Sequence, residues 1–119
     1  MLVIRTKTEK MYYFDCDDTL VMWGKISPNT VEVKLDNTFT EYLVPHKKHI
    51  ELLKSRKEKG DTIVVWSAGG YDWAEAVVKA LEIEEFVDIV MSKPFYVIDD
   101  LPVNEIHRRI YLEFEDETI

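Results

Sequence analysis

Five carboxylates stand where a fold could gather them. Asp15, Asp17 and Asp18 end the apolar stretch Met11–Phe14, and Asp99 and Asp100 follow Phe95–Ile98. A hydroxyl, Ser67, comes directly after a third apolar stretch, Thr62–Trp66, and opens the small-residue run Ser67-Ala68-Gly69-Gly70. Short apolar runs ending in acids read as buried strands that deliver carboxylates to their C-terminal edge, where α/β sheets bind ligands. Two carboxylates about 4 Å apart repel by roughly 4 kcal/mol at an effective dielectric of 20, so such a cluster needs a cation or bound protons. All-oxygen ligation suits a hard divalent ion. Mg²⁺ is expected, because it binds through one or two carboxylates and completes its shell with water and substrate phosphate.

The elements that must position these groups follow from the pattern. Val31, Val33 and Leu35 alternate with Glu32 and Lys34, and Asp36-Asn37 turns the chain into a second strand over Phe39–Val44, a hairpin with one buried face. Pro45 reads as the first residue of a helix with its apolar stripe at His46, His49, Ile50 and Leu53, ended by Gly60. A second helix after Gly70 puts Ala74, Val77, Val78 and Leu81 on one face. Val87–Met91 and Phe95–Ile98 read as strands, Pro102–Arg108 as a turn or short helix, and Ile110–Phe114 as a last strand. Strands alternating with helices imply one three-layer α/β domain over residues 1–119, with a Rossmann-like, mainly parallel sheet and a β-hairpin flap after the first strand.

Tyr12-Tyr13-Phe14-Asp15-Cys16-Asp17-Asp18-Thr19-Leu20 resembles the first motif of the haloacid dehalogenase-like phosphatases, an apolar strand followed by D-x-D-x-T-L. Val64-Val65-Trp66-Ser67 resembles the second motif, Lys93 in Ser92-Lys93-Pro94 the third, and Val97-Ile98-Asp99-Asp100 the fourth, in the family's order. The resemblance implies a phosphatase with Asp15 as nucleophile, forming an aspartyl-phosphate, and Asp17 as general acid and then base. It implies Mg²⁺ held by Asp15, Asp17 and one or both of Asp99 and Asp100, and phosphate bound by Ser67 and the amides around Ala68 and Gly69. Lys93 would neutralise charge on the transferring group.

Only five residues separate Lys93 from Asp99, too few for a crossover between parallel strands. Either Val87–Met91 is short or non-parallel, or Lys93 starts the Phe95–Ile98 strand some 17 to 20 Å from the acids. Lys25, Lys47 and Lys48 are the alternative cations. The family's cap domains have no room here, so the site is expected to be open, and its phosphorylated substrate a small molecule, a nucleotide or polynucleotide end, or a phosphoprotein. A receiver-like signalling domain is the rival reading. It would place paired acids first and the phosphoacceptor after its third strand, whereas here the pair Asp99-Asp100 comes last. An inactive relative serving as a binding module is the other alternative.

Composition sets the outer bounds. The 119 residues support one core, and 15 basic against 23 acidic side chains give a net charge of −8, which argues against a stable nucleic-acid complex. One cysteine, Cys16, cannot form an internal disulfide and reads as packing between two acids. The charged start and the short apolar runs imply a soluble, cytoplasmic protein without a membrane span. His46 and His49 read as packing rather than metal ligands, Trp66 and Trp73 as core or rim, and the six Lys or Arg over residues 47–59 as a solvated helix face.

Overall fold

Apolar runs rich in valine and aromatic residues form the strands, and amphipathic runs between them form the helices. The computed structural model describes residues 10–116. In chain order the elements are β1 (Met11–Asp15), β2 (Val21–Met22), β3 (Val31–Leu35), β4 (Phe39–Pro45), α1 (Lys47–Glu58), β5 (Thr62–Ser67), α2 (Tyr71–Ala80), a 3₁₀ turn (Glu84–Phe86), β6 (Ile89–Ser92) and α3 (Val103–Ile106). A parallel sheet has the order β1-β5-β6, and an antiparallel sheet the order β2-β4-β3.

Strand alternation decides what the parallel sheet buries. Phe14 pairs with Val65 and Tyr12 with Ile63. Phe14, Ile63 and Val65 join Leu53 of α1 and Val77 of α2 in one core. The intervening Met11, Tyr13 and Ile89 are exposed. The described residues therefore build a helix layer on one face of this sheet. Two expected strands do not form: Phe95–Ile98 and Ile110–Phe114 are irregular, and Phe95 and Ile98 are almost wholly exposed. Both runs have strand-like composition, but strand propensity acts only where a partner edge and a burying surface are present.

The hairpin forms as expected, Val31–Leu35 pairing with Phe39–Leu43. Asp36 turns it in a left-handed conformation (φ 49°), its carboxylate accepting from the Thr38 N–H at 2.8 Å and hydroxyl at 2.7 Å. Pro45 is not the first helical residue. The β4 ladder continues to it, opposite Val21, and His46 takes the cap, its side chain accepting from the His49 N–H. Gly60 ends α1 at φ 93°, a conformation that glycine adopts without a Cβ penalty. On the basic face of α1, Arg56 pairs with Asp61, Lys57 with Asp88 and Lys48 with Glu115.

His46 and His49 are buried and stacked, their ring centroids 3.8 Å apart. His49 places Nδ1 2.7 Å from the Thr19 carbonyl, and its Nε2 accepts the Leu112 N–H at 2.8 Å. His46 Nε2 lies 2.8 Å from the Leu112 carbonyl, while its Nδ1 accepts from the His49 N–H. Each ring thus donates once and accepts once, which fixes two neutral tautomers and ties the C-terminal segment to the loop after β1. Tyr111 packs edge-on to both imidazoles.

Burial holds His49 below its ordinary value, and the neighbouring His46 acts in the same direction against the Thr19 carbonyl. With a depressed folded value, the stabilisation is complete above about pH 6.5 and is lost as pH falls below it. Thermal unfolding followed from about pH 8 to about pH 5 should show the melting temperature dropping below about pH 6.5. His49→Leu should cost about 1–3 kcal/mol near neutrality and flatten that dependence.

Candidate active site

Three strand ends meet at one edge because the parallel register aligns them. Asp15 lies opposite Trp66, and Ser67 opposite Ser92. The connection from β5 to β6 contains α2, so the length a parallel crossover needs is satisfied there. β6 is short but parallel, and Lys93 leaves it on the acid edge. Of the two alternatives left by the spacing, the short strand is the one found, and Lys93 does not start a strand at the far end: its Nζ lies 3.4 Å from Asp15 Oδ1. The Lys93 N–H donates to the Ser67 carbonyl at 2.8 Å, and the Gly70 N–H donates to the same oxygen at 3.1 Å. Lys25 instead lies over the Phe114 ring, and Lys48 pairs with Glu115.

The acids after β1 sit on a tight loop in which the Cys16 carbonyl accepts from the N–H groups of Thr19, Leu20 and Val21. Asp18 is left-handed (φ 58°), an uncommon state that short polar side chains tolerate. Its carboxylate accepts the Trp23 backbone N–H at 3.0 Å, and its carbonyl accepts the Tyr111 hydroxyl at 3.0 Å. Asp17 is held differently. One of its oxygens, Oδ1, accepts two indole N–H groups, Trp23 Nε1 at 2.8 Å and Trp73 Nε1 at 3.0 Å. Both donors are neutral, so they orient the carboxylate and leave the second oxygen outside that pair of bonds.

Ser67 is fully buried, and its Oγ accepts the Gly69 N–H at 3.0 Å. This bond shapes the turn that carries the Ala68 and Gly69 amides towards α2. Gly70 caps that helix at φ 104°, where an L side chain would be strained, and the Ser92 hydroxyl accepts the Tyr71 N–H at 2.8 Å. Cys16 is buried between Asp15 and Asp17. Burial, reinforced by the two carboxylates, pushes its thiol up to about 12.

Asp99 and Asp100 are not brought to this edge by a strand. They lie in the exposed stretch after β6, where Asp99 Oδ1 accepts the Leu101 N–H at 2.9 Å. Among the described residues, no three His, Cys, Asp or Glu side chains are close enough together to hold a metal. The donors at the β1 end still suit a hard cation. Asp15 makes one long contact, to Lys93, and one or two carboxylates with water and phosphate are what Mg²⁺ ordinarily takes from a protein.

Sequence reasoning missed the indole donors. Trp23 lies in an unpatterned loop, and Trp73 falls on the apolar stripe of α2, so neither position signals a polar role. Among the described residues, no helix is long and apolar enough to cross a membrane. Comparison of the chain with protein-family models, curated proteins and solved structures finds no match.

Two measurements check this geometry. Cys16 should not react with an aromatic disulfide reagent near pH 8 in the folded protein and should react fully once the chain is unfolded in guanidinium. Gly70→Ala should cost about 1–3 kcal/mol in denaturant unfolding.

Proposed function

We propose that the chain is a phosphomonoester hydrolase of the haloacid dehalogenase-like type, a capless Mg²⁺-dependent phosphatase working through an aspartyl-phosphate. The observation that carries this reading is the pairing of Asp15 with Lys93 on the edge where β1, β5 and β6 end. Asp17 is fixed two residues beyond the nucleophile. A carboxylate beside a cation, at the C-terminal edge of a parallel sheet and next to backbone amides at a helix start, is what phosphoryl transfer asks of a protein.

In the first step an Asp15 oxygen attacks phosphorus, the bond to the leaving oxygen breaks, and Asp17 gives that oxygen a proton. In the second, Asp17 takes a proton from water as the water oxygen attacks phosphorus, releasing phosphate and restoring Asp15. Lys93 offsets negative charge on the transferring group, and the Ala68 amide, in the turn shaped by the Gly69–Ser67 bond, orients its oxygens. Mg²⁺ held by Asp15 and Asp17 would add charge neutralisation. Completing that set with Asp99 or Asp100 requires Phe95–Ile98 to pair along the edge of β1 away from β5, giving the fuller Rossmann-like sheet. The β3–β4 hairpin would serve as a flap beside an open site, with a cytoplasmic phosphorylated small molecule, nucleotide or polynucleotide end, or phosphoprotein as substrate.

Hydrolysis of an aryl phosphate should require Mg²⁺ and be abolished by Asp15→Asn. Retained turnover in that variant would remove Asp15 from its role. Lys93→Met should lower kcat by roughly 10²–10³-fold, the cost of losing one transition-state partner. Asp17→Asn should slow esters with poor leaving groups more than those with good ones, read from the slope of log kcat/KM against leaving-group pKa.

A further inference from the structure

An open cleft of ≈ 350 Å³ adjoins the reacting edge, lined by Asp17, Trp23, Leu35, Phe39, Gly69 and Trp73. Two of these residues belong also to the site: Asp17 is the expected proton donor, and Gly69 lies in the turn whose N–H bonds Ser67. The remaining lining is flat and apolar. Trp73 forms a buried floor, with Trp23 inclined to it by 31° at a centroid distance of 6.3 Å and Phe39 edge-on at 5.9 Å. Trp23 and Phe39 are part-exposed, so ring surface is offered to whatever enters.

We propose that this cleft receives the leaving group of the substrate, and that the leaving group is an unsubstituted or lightly substituted phenyl ring carried as a phenolic phosphate. The proposal rests on the phosphatase reading for the position of the phosphoryl group; the cleft supplies the rest. With phosphorus at Asp15, the leaving oxygen must face Asp17, and the atoms beyond it then enter the space that Asp17 borders. Three aromatic rings and a leucine favour a planar apolar group, which buries its surface and stacks or meets them edge-on. A nucleobase fits less well. Among the described residues Asp17 is the one charged lining residue, and the oxygen that accepts the two indole N–H groups is already engaged, so little remains to bond the polar edge of a base.

Phosphonates test this without turnover. Calorimetric binding in the presence of Mg²⁺ should show phenylphosphonate tighter than methylphosphonate by at least about tenfold, the scale expected for burying one ring. Phe39→Leu, which leaves the indole bonds to Asp17 in place, should reduce that ratio to below about threefold, and Trp23→Leu should do the same if the loop stays folded. Gly69→Ala gives an independent reading. Its Cβ would stand 3.4 Å from Trp73 Cδ1 and 3.3 Å from Ser67 Oγ, crowding the cleft, so phenylphosphonate should lose more affinity than methylphosphonate. Equal affinity for the two phosphonates, or a ratio unmoved by Phe39→Leu, overturns the proposal while leaving the phosphatase reading standing. A nucleoside phosphonate binding more tightly than phenylphosphonate overturns the choice of ring. Failure of both simple phosphonates to bind overturns the proposal and the phosphatase reading together.

Discussion

The register of three parallel strands is the constraint on which the rest depends. Pairing Phe14 with Val65 and Ser67 with Ser92 sends alternate side chains into the helix layer, and it also brings Asp15, Ser67 and Lys93 out on one edge. The two outcomes cannot be separated. Slipping β1 by one residue against β5 would turn Phe14 away from Leu53 and Val77 and swing Asp15 to the opposite face, so core packing enforces the position of the nucleophile. The Ser67 carbonyl reinforces this by accepting from Gly70 and Lys93 at once, binding the turn before α2 to the exit from β6.

Around that edge, three acids within four residues coexist because each accepts from a different donor group. Asp15 faces an ammonium, Asp17 two indole N–H groups, and Asp18 a backbone N–H within its own left-handed turn. Their charge is dispersed over donors from three residues far apart in the chain, Trp23, Trp73 and Lys93. The thiol between them stays protonated, since ionising the buried Cys16 would place a third negative charge beside Asp15 and Asp17.

The parts of this fold that a sequence reader can see are those governed by local period. Hairpin, both long helices and the strands beginning at Met11 and Thr62 follow from alternation and the helical stripe, and the acid loop and Ser67 follow from where apolar runs stop. Elements that depend on a distant partner were not legible. Phe95–Ile98 and Ile110–Phe114 have strand composition but no ladder, and Pro45 was drawn into β4 by Val21, a residue 24 positions away in the chain. Lys93 could be placed only once Phe95–Ile98 was seen to form no strand, which removes the crossover that five residues could not make. The indole bonds to Asp17 were invisible because a tryptophan on an apolar stripe gives no sign of where its one N–H will point.

The exposed stretch at Phe95–Ile98 has a further consequence for how copies of this chain behave together. Four large β-prone residues lie in the same molecule as a strand, β1, that among the described residues has a neighbour on one side only. Such a combination is a template for edge-to-edge stacking. Pro94 on one side, which has no N–H to give a ladder, and the doubled charge of Asp99 and Asp100 on the other act as gatekeepers. Two carboxylates read first as chemistry therefore also set the colloidal behaviour of the chain: repulsion between them limits how closely neighbouring copies can align, and salt that screens it will bring the copies together.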